Sequence, residues 1–335
     1  MKIFITGSAG FIGFSLAKHL LDKNHTVYGY DGLTNYYDVN LKKSRNKILK
    51  KYNKFYFIKG MLENNNLLKK TILKYKPEII IHLAAQAGVR YSIEKPRSYL
   101  SSNVIGTYNV IELAHKVKAK HLLIASSSSV YGANKITPYK ENDNVKSQLS
   151  IYASTKLATE SLAHSYSNVW RIPITIMRFF TAYGPWGRPD MALFKFTKLI
   201  LKKKKIDIYN KGNLYRDFTY IDDIVKAVSL LIKKTPNNKK YSKTNKVDSL
   251  SSVAPFRIVN IGNSKKIKLL DFIKAIENTL KIKVIRNYMP MQKGDVFMTL
   301  ADIKLLKKLT GYTPKINFKQ GVKNFVNWYL DYYKK

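Results

Sequence analysis

Apolar residues recur along this chain at two spacings, and the alternation between them gives the first picture of its fold. Short β-branched or apolar runs at 2–6, 26–31, 54–58, 78–83, 120–126 and 172–178 read as strands. Between them, apolar positions fall at helical spacing near 11–23, 64–75, 98–118 and 150–169. This order predicts an α/β fold with a doubly wound parallel sheet, covered by helices on both faces. Beyond about residue 180 the rhythm breaks, with helices at 192–203, 222–233, 269–280 and 318–333 and strands at 206–209, 257–261 and 282–286. A smaller, discontinuous α/β lobe is expected there. The predicted division is a first domain over 1–178, to which about 210–235 returns, and a second lobe over 179–209 and 250–335. The polar stretch 235–254 reads as a flexible surface loop.

Composition narrows what such a fold does. At 335 residues the chain can bury a substantial core. No apolar run reaches membrane-spanning length, so no membrane insertion is expected. Met1–Ile5 read directly into a strand, so no signal peptide is expected. The lack of cysteine excludes disulfides and thiolate chemistry, and the six histidines show no ligand spacing, so no metal is expected. A soluble cytoplasmic protein is the plain reading. The formal charge of +39 raises nucleic acid as a partner. The excess is scattered lysine, as coding bias in an AT-rich genome would leave it, and the densest run, Lys202–Lys205, closes a helix whose dipole favours cations. No specific nucleic acid is therefore expected, although such a field hastens encounter with an anionic ligand.

Gly7-Ser-Ala-Gly10-Phe-Ile-Gly13 lies between the first strand and the first helix. Glycines there allow a tight turn and bring backbone N–H groups close to a pyrophosphate at the helix N-terminus. Asp31, ending the second strand, is spaced to accept hydrogen bonds from adenosine ribose hydroxyls and to repel a 2′-phosphate. The first domain is thus expected to be of Rossmann type, binding NAD rather than NADP.

Tyr-x-x-x-Lys occurs at Tyr91/Lys95, Tyr131/Lys135 and Tyr152/Lys156. The first runs into Pro96 and the second contains Gly132, so both read as loops. Tyr152 and Lys156 open a helical stretch marked by Leu157, Ala158, Leu162, Ala163 and Tyr166. A phenol and an ammonium one turn apart on one helix face suit proton transfer in a nicotinamide-dependent dehydrogenase.

Together with four longer blocks, these features resemble the extended short-chain dehydrogenase/reductase family, and within it the UDP-glucuronate 4-epimerases. The blocks are His82-Leu-Ala-Ala-Gln-Ala-Gly-Val-Arg90-Tyr-Ser, Ala125-Ser-Ser-Ser-Ser-Val-Tyr-Gly132, Arg178-Phe-Phe-Thr-Ala-Tyr-Gly-Pro-Trp-Gly-Arg-Pro-Asp-Met-Ala-Leu-Phe194 and Arg216-Asp-Phe-Thr-Tyr-Ile-Asp-Asp223, with Tyr36-Tyr37-Asp38 also in keeping. The resemblance spans the chain outside 235–254 and implies interconversion of UDP-glucuronate and UDP-galacturonate through a transient 4-keto sugar. It implies Ser127, Tyr152 and Lys156 as catalytic residues. It also implies Gly7, Gly10, Phe11, Ile12, Gly13, Asp31, Leu62, Ala84, Ala85 and Asn103 as cofactor contacts, together with Tyr152 and Lys156. Arg90, Ser127, Ser129, Tyr152, Thr181, Arg188, Arg216 and Asp295 are the implied UDP-sugar contacts, and a homodimer the implied assembly. The dimer would pair helices near 98–118 and 150–169, through Val104, Tyr108, Ile111 and His115 on one and Ala158, Leu162 and Tyr166 on the other.

Three positions depart from the family pattern: Gly32 in place of asparagine, Gly60-Met61-Leu62 where an aspartate often contacts adenine, and Lys293 in place of proline. The expected chemistry follows from the residues. Tyr152 takes the proton of the sugar 4-hydroxyl, its phenolate favoured by Lys156, while the C4 hydride passes to NAD. Ser127 hydrogen-bonds the ketone. Related dehydratases carry an Asp-Glu pair after the catalytic hydroxyl, and related decarboxylases a glutamate two residues before the equivalent of Tyr131. Ser128 and Ser129 occupy those slots, which leaves epimerisation. A 4-keto glucuronate is a β-keto acid that loses CO₂ readily, so its carboxylate must be clamped, by Thr181, Ser129 and Arg188. The alternatives are an epimerase of UDP-glucose or a UDP-N-acetylhexosamine, a UDP-glucuronate decarboxylase, or a cofactor-bound scaffold or RNA binder exploiting the positive surface.

Overall fold

The structure, a computed structural model, describes residues 1–333 except Lys246 and Lys293. Its strands are β1 (Lys2–Thr6), β2 (Thr26–Asp31), β3 (Phe55–Lys59), β4 (Ile79–His82), β5 (His121–Ser127), β6 (Ile174–Phe179), β7 (Thr181–Tyr183), β8 (Ile206–Tyr209), β9 (Tyr215–Tyr220), β10 (Phe256–Ile261), β11 (Lys266–Lys268) and β12 (Arg286–Met289). Seven of them form one sheet in the order β10-β6-β5-β4-β1-β2-β3, every pair parallel. β4 and β6 are buried at every position, as strands with helices on both faces must be. One face packs on Leu16, Leu20 and Leu41, the other on Leu68, Val110 and Leu113. From β1 the chain winds outward to β3 and then crosses back to β4, so a crevice opens at the carboxyl ends of β1 and β4.

Two small sheets, β11-β9-β7 and β12-β8, build the second lobe over that crevice. β10 does not join them. The expected lobe over 250–335 is therefore interrupted, because Phe256, Val259 and Ile261 are buried beside β6 at the edge of the main sheet. The stretch before it is tied down at its end: Asp248 pairs with Arg257 at 2.9 and 3.2 Å, and the Ser249 hydroxyl donates to the Ile258 carbonyl. The strand expected at 282–286 begins only at Arg286, because the Val284 N–H is taken by Glu277 at 2.8 Å.

The long helix expected at 98–118 is three pieces: a turn over Pro96–Tyr99, a π-helical stretch over Leu100–Ile105 and an α-helix over Gly106–Lys116. A helix over Val39–Leu49 was not legible in the pattern. Its buried stripe is Leu41, Lys42, Arg45, Asn46 and Leu49, so three of the five inward positions are polar. The Tyr91 segment is a short helical turn rather than a loop, whereas Tyr131 ends a 3-10 turn and the chain from Gly132 to Lys135 is a loop as expected; Lys95 and Lys135 are both exposed. Of the three tyrosine–lysine pairs, Tyr152/Lys156 alone has a buried lysine.

Candidate active site

The crevice holds a cavity of about 470 Å³, a usual size for a small-molecule site. The glycine turn forms its floor. Gly7 has φ of +73°, and a Cβ there would lie 2.8 Å from the Ala84 nitrogen. On Gly13 a Cβ would lie 2.0 Å from the Gly7 carbonyl oxygen, so only glycine lets the helix Phe11–Asp22 start this close to the turn. No side chain caps that helix, which leaves its first N–H groups facing the cavity. Asp31 is held rigidly, Oδ2 accepting from the Ala9 N–H at 3.0 Å and Oδ1 from the Leu33 N–H at 2.8 Å. Phe11, Ile12, Leu62, Ala84 and Ala85 also line the cavity. The turn, the open helix end and the fixed carboxylate fit a dinucleotide.

Asn103 does not line it. The wide π-helical turn directs its amide inward, onto the Gln86 N–H and carbonyl at 2.8 and 3.1 Å and onto Thr155 at 3.0 Å. It braces the loop after β4 instead. The two departures near adenine prove to be one feature: a Cβ on Gly32 would lie 2.3 Å from the Met61 sulfur, so the thioether occupies the space that a side chain at 32 would fill.

Helix Ile151–Trp170 is capped by Ser150, whose Oγ accepts the Ala153 N–H at 3.1 Å, and this presents Tyr152 at its mouth. Lys156, 3% exposed, donates to the Ala125 carbonyl at 2.8 Å. Burial pushes its pKa down to about 8, against the opposing pull of Glu160. Burial also raises the Tyr152 phenol, and the groups drawing it back down are the Ser127 hydroxyl and Arg188. The Lys156 ammonium spends one of its three N–H groups on the Ala125 carbonyl. Ser127, at the end of β5, donates to Ser129 Oγ at 3.2 Å and accepts the Ser129 N–H at 3.1 Å. Behind them, Arg178 forks onto Glu160 at 3.0 and 2.7 Å, fully buried, and Ser126 adds a third bond at 2.5 Å. His82 is locked between Thr6 and Thr107, and burial followed by the nearby Lys156 drives its pKa down to about 3, so it stays neutral. Among the described residues no cluster of His, Cys, Asp or Glu is placed to hold a metal.

Ser129, Thr181, Arg188, Arg216 and Asp295 line the other end of the cavity. Arg188 is already engaged, Nε and Nη2 donating to Asp190 at 3.0 and 2.6 Å, and Tyr36 donates to the same carboxylate at 3.2 Å. Arg216 and Asp295 pair with each other at 3.1 Å. The substitution at Lys293 lies outside the described residues. Arg90 is exposed and sits 5.0 Å over the Tyr209 ring rather than in the cavity, because the turn Tyr91–Glu94 carries its side chain outward. Missed from sequence were Asp190, Glu160 and Lys42, the last lining the cavity with its ammonium on the Thr34 carbonyl at 2.6 Å. Lys42 and Arg45 share a helix face at i, i+3, but only a recognised helix would have shown it.

Known proteins arrange their chains in the same way. The family described as GDP-mannose 4,6 dehydratase matches residues 4–325. Protein CapI of Staphylococcus aureus is 50% identical over 336 residues, covering all of both chains. A probable UDP-glucuronate 4-epimerase of Rhizobium meliloti is 46% identical over 336 residues, covering 100% of this chain and 98% of its own. The crystal structure of UDP-glucuronic acid 4-epimerase from Bacillus cereus, in complex with UDP-glucuronic acid and NAD, superimposes with a TM-score of 0.89 at 31% identity, over 99% of this chain and 100% of that one. No helix among the described residues is long and apolar enough to cross a membrane. With the glycine turn, the serine run and the Tyr152–Lys156 helix all at one crevice, and with full-length relatives sharing up to half its residues, the chain belongs to the GDP-mannose 4,6-dehydratase family of extended short-chain dehydrogenases/reductases.

Proposed function

We propose that the protein interconverts UDP-glucuronate and UDP-galacturonate by inverting C4, using a retained NAD. The observation that carries this is the cavity end where Ser127 and Tyr152 meet while Ser128 and Ser129 fill the slots that elimination or decarboxylation needs as carboxylates. NAD, when bound, supplies the acceptor that holds the C4 hydride and returns it to the opposite face. Tyr152 removes the 4-hydroxyl proton and later restores it, and Ser127 donates to the ketone. Lys156 holds the nicotinamide ribose, and Asp31 the adenosine ribose. Arg216 meets the diphosphate, Asp295 the uridine ribose, and Thr181, Ser129 and Arg188 the carboxylate. The test is NMR of UDP-glucuronate with purified protein and no added cofactor: signals of the C4 epimer are expected, and their absence from folded, NAD-loaded protein overturns the reading.

The Arg188–Asp190 pair is the one observation favouring a neutral-sugar epimerase, because it cancels the charge that would select an acid. Turnover of UDP-glucuronate at least about tenfold above that of neutral UDP-hexoses is expected, since a charged hydrogen bond from Arg188 is worth more than this. Equal turnover would favour the neutral sugar.

Because both Asp31 oxygens are fixed by backbone N–H groups, the carboxylate cannot swing away from a 2′-phosphate. NAD is expected to bind roughly a hundredfold more tightly than NADP, like-charge contacts costing several kcal/mol. Calorimetry on stripped protein checks this, and equal affinities would remove Asp31 from the ribose.

A homodimer completes the proposal. Tyr108 and Tyr166 bring the two helices together, their rings 6.1 Å apart. Ile111 is fully buried against its own sheet, whereas Leu100 (54%), Ile105 (52%), Val169 (62%) and Trp170 (44%) are exposed apolar residues beside them. Light scattering at micromolar concentration should give twice the chain mass; a monomer rules the dimer out. We place the protein in the cytoplasm, where nucleotide sugars are made.

A further inference from the structure

Arg45 is among the largest side chains with no exposure at all. Its Nη1 donates to the Ala9 carbonyl and the Tyr37 hydroxyl, each at 2.8 Å, and its Nη2 to the carbonyls of Trp186 at 2.6 Å and Gly187 at 3.4 Å. None of these acceptors is charged. A guanidinium buried with neutral partners alone is costly, and a simple tie between two loops does not require one. Each end of this bridge adjoins a segment that lines the cavity, Gly7 and Gly10 at one end and Arg188 at the other. Ala9 belongs to the glycine turn, and its N–H is one of the two donors that fix Asp31. Gly187 immediately precedes Arg188.

The far end is also strained. Trp186 has φ of +63°, in the left-handed region where a bulky side chain is an outlier. Such a conformation persists only where its surroundings over-determine it. Here the Trp186 ring is caged by Phe14, Trp328 and Tyr332 at centroid distances of 5.4, 5.2 and 5.1 Å, its carbonyl is held by Arg45, and the Gly187 N–H closes the turn onto the Gly184 carbonyl at 3.0 Å. The turn points the next residue, Arg188, into the cavity.

We propose that Arg45 is a positioning residue: it locks the Trp186–Gly187 turn to the glycine loop and thereby sets the reach of Arg188 toward the sugar carboxylate. The proposal rests on the assignment of Arg188 to that carboxylate. Only a planar fork spans both loops at once, so lysine keeps the charge but loses the bridge.

The test compares two ligands of the NAD-loaded enzyme. UDP lacks the sugar acid and reads the nucleotide half alone, as an inhibitor; UDP-glucuronate reads both halves, as substrate. Arg45→Met should raise KM for UDP-glucuronate at least tenfold while the Ki of UDP moves less than threefold, and labelled bicarbonate should appear from C6-labelled substrate. Arg45→Lys should shift the same ratio in the same direction, and it carries the comparison if Arg45→Met does not fold. Equal weakening of both ligands, or wild-type values for Arg45→Lys, overturns the proposal. Arg188→Ala is measured beside them. If it loses the preference for UDP-glucuronate and the Arg45 variants keep it, the positioning role alone fails; if Arg188→Ala keeps it, the assignment of Arg188 fails.

Discussion

Replacing Tyr152 with phenylalanine should slow epimerisation at least about a hundredfold while the fold and the bound NAD survive. Phenylalanine keeps the ring that meets Tyr99 edge-on at 6.0 Å, so packing at the mouth of the helix changes little. What is lost is the acid–base group, and no neighbour replaces it. Ser127 is a poor base, the Tyr99 hydroxyl is spent on the carbonyls of Ala87 and Gly88, and His82 is locked away from the cavity between two threonines. In the wild type the phenol must be lowered by about three units to act near pH 7, a differential stabilisation of roughly 4 kcal/mol. The chain's own environment works the other way through burial, with Ser127 and Arg188 opposing it. That demand falls on the loaded site, whose nicotinamide is positive. Steady-state turnover with HPLC separation of the two UDP-sugars checks the prediction; a rate within threefold of wild type would remove Tyr152 from proton transfer.

Arg188→Ala should change the product as well as the rate. In the 4-keto intermediate a freed carboxyl group rotates until the C5–C6 bond aligns with the carbonyl π system. That bond then breaks, CO₂ leaves, its electron pair forms the C4 enolate, and protonation at C5 gives a UDP-4-keto-pentose. Reduced cofactor is left without its matching ketone and accumulates. Loss of a charged hydrogen bond is worth roughly 2–3 kcal/mol, enough to populate the reactive rotamer. The structure adds a second effect, because Asp190 accepts two bonds from Arg188 and would be left as a largely unpaired carboxylate near the incoming acid. Arg188→Ala with Asp190→Asn separates the two: binding should partly recover while decarboxylation persists. ¹³C NMR with C6-labelled UDP-glucuronate and absorbance of the reduced nicotinamide are the measurements. A variant that is merely slow, with neither labelled bicarbonate nor reduced cofactor, would show that Arg188 is not what prevents CO₂ loss.

Much of this site was written locally in the chain. β1, the glycine turn and the first helix are contiguous, so their spacing alone predicts the loop that a dinucleotide needs. Tyr152 and Lys156 are one helical turn apart, and apolar periodicity placed them on a helix. Buried parallel strands announce themselves as short apolar runs because both of their faces are covered. Tertiary structure decided what depends on partners far along the chain. Arg188 is neutralised by Asp190, which Tyr36 reaches from 154 positions away, and Arg45 meets Trp186 across 141 positions. A helix whose inward face carries Lys42, Arg45 and Asn46 looks like surface to a hydropathy pattern, since the pattern records side-chain polarity and not the hydrogen bonds that make burial tolerable. The family resemblance implied Arg90 and Asn103 as site contacts, while the fold turns one toward the Tyr209 ring and spends the other as a brace. Residue type and spacing determined which chemistry the chain carries; long-range hydrogen bonds among buried polar groups decided which side chains reach the cavity and which are consumed in holding it open.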